Sequence, residues 1–324
     1  MRESAACRTL CLRTWRPCFD RRYQQHGPFR HDRLLRVSRE KGLRFNDLQQ
    51  RFAMQRFLYR LSVSPFADQF TLKGALAFLA WTGGEQMYRP TMDIDLLGRT
   101  SNDAENLVKI FQAIAEQEVP NDGLIFDPDS ITAAPITEDA EYNGMRVRLA
   151  GRMGNARIAI QIDIGFSDSP LPKPQRLELP GLLDFPALSM SGYRPESSIA
   201  EKLQAMVVRD VLNSRMKDFA DLWYLSRHFD FDGSTLAQAI AGTFERRNTP
   251  IPANPSAFSA EFANRDDKQA QWKAFIRRSK PKDVPDEFAE VVAGVADFLR
   301  PILDHLATRQ SLPNYWQAPG PWQF

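Results

Sequence analysis

The sequence predicts an α+β protein, a mixed sheet flanked by helices and followed by a mainly helical C-terminal half. Three observations carry that expectation. The stretch "MRVRLAGRMGNARIAIQIDIGF", residues 145–166, is two runs of period-two alternation joined at Gly154 and Asn155, the pattern of a hairpin. A proline-studded segment, Pro170 to Pro186, reads as a linker. Beyond it, "PESSIAEKLQAMVVRDVLN", "MKDFADLWYLSRHF" and "STLAQAIAGTFERR" space their apolar residues as helices do.

The elements follow in order. "DRLLRVSREKG" is helical and stops at Gly42. "NDLQQRFAMQRFLYRLSVSP" is a second helix with Asn46 as its expected cap. A short strand precedes Gly74, "ALAFLAW" is a buried helix, and "TMDIDLLG" alternates as a strand. Asn102 or Asp103 caps the amphipathic "AENLVKIFQAIAEQ", and residues 124–166 are sheet. After the three helices of the second half, two more are expected near 266–278 and 284–306. The expected division is residues 1–30 as a disordered or non-native extension, 31–186 as an α/β domain, 187–310 as a helical domain and 311–324 as a tail.

Several function classes are set aside by the totals. The 324 residues are 43% hydrophobic and 25% charged, ordinary for a globular protein. A net charge of +2 provides no global field for wrapping nucleic acid. No apolar run approaches the roughly 20 residues needed to span a bilayer, and the first thirty residues lack the apolar core of a secretory signal. A cytoplasmic protein without membrane association is therefore expected. Residues 1–30 hold Arg2, Arg8, Arg13, Arg16, Arg21, Arg22 and Arg30 against Glu3 and Asp20, which suits either an RNA-binding arm or an unstructured tail. Cys7, Cys11 and Cys18 are the only cysteines; they lack paired histidines to complete a zinc site, and the body has no disulfide.

The chemistry concentrates in acids. On a strand, Asp93 and Asp95 share one face while Met92, Ile94 and Leu96 take the other. Adjacent carboxylates repel unless a cation lies between them. Magnesium suits such a pair, because it binds through one or two carboxylates plus substrate phosphates; surface strands also produce D-x-D by chance. In "ARIAIQIDIGF", Asp163 interrupts an apolar strand. It reads as a third carboxylate, as part of a solvated sheet face, or as the partner of Arg157 or Arg148. Gly74, between strand and helix, would let backbone approach a phosphate at the helix N-terminus, with Lys73 adding charge.

These motifs resemble the nucleotidyltransferase superfamily, and more closely the AbiEii/AbiGii-type toxin family of bacterial toxin–antitoxin and abortive-infection systems. The resemblance runs through "RFLYRLSVSPFADQFTLKGALAF", "YRPTMDIDLLG", "IQIDIGFSD", "YRPESSIAEKLQAMV", "NSRMKDFADLWYL", "FDFDG" and "AGTFERRNTPIP", roughly residues 35–255. It implies a nucleotidyltransferase-like mixed sheet. By position, it implies that Lys73, Gly74 and Ala75 meet the nucleotide phosphates and that Asp93 and Asp95 hold magnesium. Asp163 would be the third acid, completing the metal site or assisting deprotonation, Lys202 would bind the triphosphate, and Asp218 and Asp221 would form the later acidic motif. Lys202 has Ser198 and Met206 four residues either side, hence no acidic partner one turn away, and Glu201 points elsewhere. Asp218 and Asp221 also suit the start of a helix electrostatically.

The wider superfamily carries Gly-Gly or Gly-Ser at the turn. Ala75 here keeps the backbone N–H and loses a hydroxyl, and "WTGGEQMYRP" adds a long loop. The resemblance implies a two-metal magnesium enzyme that uses an NTP as substrate and blocks a tRNA 3′ end. Arg89 would join the nucleotide-binding residues, and Arg89, Arg146 and Arg148 suit either an RNA-binding rim or an ordinary charged surface. Alternatives are nucleotidylation of a protein or small-molecule hydroxyl, or a catalytically inactive nucleotide-binding module. The expected partner is a DNA-binding antitoxin that forms no stable complex with the toxin.

Overall fold

The computed structural model describes residues 21–84, 90–136, 144–167 and 170–324. In chain order the elements are α1 (Arg21–Glu40), α2 (Phe45–Ser62), β1 (Phe70–Lys73), α3 (Gly74–Trp81), β2 (Asp93–Gly98), α4 (Ala104–Glu116), β3 (Leu124–Pro135), β4 (Gly144–Met153), β5 (Ala156–Phe166), β6 (Gln175–Leu179) and β7 (Leu188–Gly192). There follow α5 (Pro195–Arg209), α6 (Met216–His228), β8 (Phe231–Asp232), α7 (Gly233–Arg246), α8 (Ala260–Asn264), α9 (Asp266–Ser279), α10 (Phe288–Thr308), β9 (Tyr315–Trp316) and β10 (Trp322–Gln323). The fold is α+β, as the alternation and the helical periodicity predict. It divides into two compact units whose segments interleave along the chain.

The first unit comprises the described residues up to Ala67 together with Ser101–Ile164 and Gly181–Leu188. Its strands lie in the order β3-β4-β5, and the β4–β5 turn falls at Gly154 and Asn155, where Gly154 has φ +59. Phe57 of α2 packs edge-on to Phe126 and parallel to Phe111 of α4, joining helices to sheet. Helix α4 is capped by Asp103, whose carboxylate accepts the Asn106 N–H at 2.9 Å. Asn46 does not cap α2: the helix starts earlier, with Arg44 at the cap position and no side-chain cap bond. The Arg44 guanidinium instead clamps Asp47 at 2.8 Å, fixing the first turn by an ion pair. Beneath α2, Asp122 is 1% exposed and bound by Arg56 at 2.9 Å and Arg60 at 2.6 Å.

The second unit comprises Asp68–Thr100, Gly165–Pro180 and Ser189–Phe324. Its main strands run β2-β1-β7-β6, with β1 antiparallel to β2 and parallel to β7. The segment from Pro170 to Pro186 is more than a linker. Leu177 and Leu179 are buried at alternate positions, so "QRLEL" forms strand β6. The helices of this unit pack around Phe219, Phe262, Trp272, Phe288 and Phe298. Residues 311–324 contribute to that core: β9 and β10 join β8 in a small sheet, and Trp316 and Trp322 are buried. Their indole N–H groups donate to the carbonyls of Ser226 and Phe298 at 2.7 and 2.8 Å. Among the described residues no helix is long and apolar enough to cross a membrane.

Candidate functional site

The second unit gathers most of the residues singled out by sequence. In the β1–β2 ladder Leu72 lies opposite Leu96 and Lys73 opposite Asp95. Ile94 and Leu96 are fully buried, while Asp93 and Asp95 on the other face remain half-buried. Strand β1 ends at Lys73 and α3 begins at once, with no side-chain cap on its first turn. Gly74 makes that junction at φ +67, a conformation that favours glycine. A Cβ at position 74 would overlap the Asp95 carboxylate, so the acid is seated directly against the turn. Asp93 accepts a hydrogen bond from the Thr91 hydroxyl at 2.7 Å.

The lysine at this junction leads to residues that sequence reading passed over. Lys73 Nζ lies 4.0 Å from Glu201 Oε2. Glu201 Oε1 accepts the Tyr193 hydroxyl at 3.0 Å and lies 3.4 Å from Arg247. Tyr193 is tied to β1 by its N–H, which donates to the Leu72 carbonyl at 2.9 Å, and its own carbonyl accepts the Trp81 indole at 3.0 Å. Burial, together with the Glu201 charge, raises the pKa of the Tyr193 phenol well above its usual value. Against the desolvation of its site, Lys73 and Arg247 hold the Glu201 carboxyl below the ordinary range.

A second cluster joins α5 to α6. Lys202 Nζ lies 2.9 Å from Asp218 Oδ1 and 2.6 Å from Asp221 Oδ2, and Arg215 binds the other Asp218 oxygen at 2.6 Å. The lysine that lacks an acidic neighbour along its own helix therefore finds two on the next one. Asp218 and Asp221 are 0% and 2% exposed. Despite desolvation, Lys202 and Arg215 depress the pKa of Asp218, whereas burial pushes that of Asp221 upward.

Asp163 lies in the first unit, on β5. Its partner is neither Arg148 nor Arg157 but Arg146, which donates to both carboxylate oxygens at 2.8 and 3.0 Å. The signal for this was present in the hairpin. Seven residues back from Met153 is Arg146, and seven on from Ala156 is Asp163, so the two-residue turn sets them opposite. Arg148 is exposed, and Arg89 lies outside the described residues. Ala75 occupies the uncapped first turn of α3.

A sequence profile for the nucleotidyl transferase AbiEii toxins of type IV toxin–antitoxin systems matches residues 56–294, more than half of the chain. The chain belongs to the AbiEii family. Two solved structures from Helicobacter pylori resemble it more remotely. One is provisionally described as a nucleotidyltransferase, with 15% identity and a TM-score of 0.49 over 82% of this chain and 99% of the other. The second is JHP933, at 16% identity and a TM-score of 0.48 over 82% of this chain and 96% of the other. No protein of curated function matches the sequence.

For an AbiEii chain, the arrangement has two chemical ends. The α3 turn with Lys73 presents N–H groups and a cation, the donors a phosphate requires. The Asp93–Asp95 pair presents oxygen donors on one face, a set that suits a hard divalent ion sharing its shell with phosphate. Among the described residues no group of three or more His, Cys, Asp or Glu side chains is placed to hold a metal. Glu201, Tyr193 and Arg247 were missed because their roles come from contacts distant in sequence, although "YRPESSIAEKL" and "AGTFERRNTPIP" contain them.

Proposed function

We propose that this AbiEii-family chain transfers a nucleoside monophosphate from an NTP to an acceptor hydroxyl at a tRNA 3′ end. The acceptor oxygen would form a bond to the α-phosphorus as the bond to the β-phosphate bridge breaks. The hydroxyl proton passes to solvent and pyrophosphate leaves. The observation that carries this reading is the seating of Asp95 against Gly74, opposite Lys73. It brings an uncapped strand-to-helix turn and an oxygen-donor pair together within one strand–helix–strand unit.

Asp93 and Asp95 would hold magnesium, which when bound neutralises phosphate charge and polarises the reacting phosphoryl group. Lys73 and the N–H groups of Gly74 and Ala75 would bind the phosphates. Lys202 is read as a further triphosphate contact, with Asp218 and Asp221 fixing its ammonium. Asp163 is read as the third acidic residue in the motif order, oriented by Arg146. Type IV membership implies an antitoxin partner, and we read it as a DNA-binding repressor that does not grip the toxin.

The test incubates the purified chain with each labelled NTP and tRNA, then sequences the tRNA 3′ ends. Label is expected on tRNA with the wild type and none with Asp93→Asn or Asp95→Asn, both variants keeping the wild-type melting profile. Label on protein or on a small hydroxyl compound instead would redirect the reading to another acceptor. Undiminished transfer by both variants would sink it.

A further inference from the structure

The Lys73 ammonium faces a network that the transfer chemistry does not itself require. The Glu201 carboxylate is fastened by the Tyr193 hydroxyl at 3.0 Å and faces Arg247 at 3.4 Å and Lys73 at 4.0 Å. Arg247 also donates to the Gln204 side chain at 2.6 Å, and Gln204 donates to the Thr249 hydroxyl at 2.8 Å. From another side, a Cβ at Gly165 would lie 3.2 Å from Lys73 Nζ, so glycine there leaves the ammonium its room. Glu201 is thus held by Tyr193, just past β7, and by Arg247, just past α7, and it faces the lysine in turn.

We propose that Glu201 is a positioning residue that sets Lys73 for the triphosphate of the NTP, with Tyr193 and Arg247 holding Glu201 in register. This rests on the reading of Lys73 as a phosphate-binding residue. A lysine ammonium on a four-carbon stem loses rotational freedom when it engages a ligand. A carboxylate that already faces it at 4.0 Å narrows its range and removes part of that cost before the nucleotide arrives. The carboxylate is also a negative charge near an anion, so simple Coulomb repulsion predicts the opposite effect on affinity. The sign of the change therefore decides between the two.

The experiment measures equilibrium binding of a fluorescent NTP analogue without acceptor, together with kcat and KM for NTP. Glu201→Gln is expected to weaken analogue binding and raise KM about fivefold, with kcat within about twofold of wild type. Tyr193→Phe, which removes a single hydroxyl, is expected to shift both in the same direction by less. Lys73→Gln is expected to weaken binding about tenfold, and the Lys73→Gln/Glu201→Gln double variant no further, because Glu201 acts through the lysine. Unchanged or tighter binding in Glu201→Gln and Tyr193→Phe would overturn the positioning role, as would full additivity in the double variant. A wild-type chain that neither binds the analogue nor turns over NTP would overturn the functional reading, and this role with it.

Discussion

Lys73 and Asp95 are register partners in the antiparallel β1–β2 ladder, so the final residue of one strand faces the second carboxylate of the other. Opposite charges directly across a ladder favour that register over a slipped one. One residue further along β1 the chain turns through Gly74, against which the same carboxylate rests. Three consecutive requirements, on pairing, backbone conformation and steric room, thus meet at positions 73, 74 and 95.

Gly74→Ala is the sharpest test of that junction. The substitution adds a methyl group where the Asp95 carboxylate lies and asks alanine to adopt φ +67. A loss of roughly 2 kcal/mol in urea unfolding is expected, from left-handed strain and overlap together. Nucleotidyl transfer should fall at least as far as in Asp95→Asn. A variant of unchanged stability and activity would show that the turn tolerates a side chain.

The Arg146–Asp163 pair separates geometry from charge. Arg146 donates two hydrogen bonds to the carboxylate, and both side chains are less than one-fifth exposed. Arg146→Ala should lower unfolding free energy by about 2 kcal/mol, because it leaves a largely buried carboxylate without its main cation. Arg146→Lys should recover less than half of that, since an ammonium cannot reproduce the two parallel bonds. Equal stability of the lysine variant and the wild type would reduce the pair to simple charge neutralisation.

Asp122 gives the fold a defined acid response. Its buried site disfavours charge, yet Arg60 and Arg56 overcome this and hold the pKa below the usual carboxylate value. A carboxyl with a lowered folded pKa binds fewer protons folded than unfolded, so its contribution is complete above the unfolded pKa of about 3.9. It is lost as pH falls from there through the folded value. Asp122→Asn should cost about 3 kcal/mol at pH 7 by leaving two buried arginines without their carboxylate. The gap between variant and wild type should hold constant from pH 7 to 5 and narrow only below about pH 4. A gap that closes already by pH 5 would mean another group carries the response.

The geometry at Gly74, Asp93 and Asp95 was legible because it is local. Period-two alternation fixes which acids share a face, and a glycine between strand and helix marks the turn. The Asp103 cap was legible for the same reason. Asn46 misled because α2 begins one residue earlier, at Phe45 with Arg44 at the cap position, so Asn46 falls within the first turn. Strand β6 hid within prolines that read as a linker, its two buried leucines being too short a run to announce a strand. Lys202 looked unpartnered because periodicity reports neighbours along one helix, and its carboxylates lie on the next. Glu201 was hidden similarly: it meets Lys73 across 128 positions of chain, which no local pattern encodes.

Tyr193 receives its position from the backbone of β1 and hands it to Glu201 through its hydroxyl. Tyr193 directly follows β7, so a slip in the β1–β7 pairing would carry its hydroxyl away from Glu201. The layout of charge around Lys73 is therefore inherited from strand pairing, and a mispaired copy of the chain carries no partly assembled version of it. A misfolded copy would then lack the charge layout on which the proposed transfer rests.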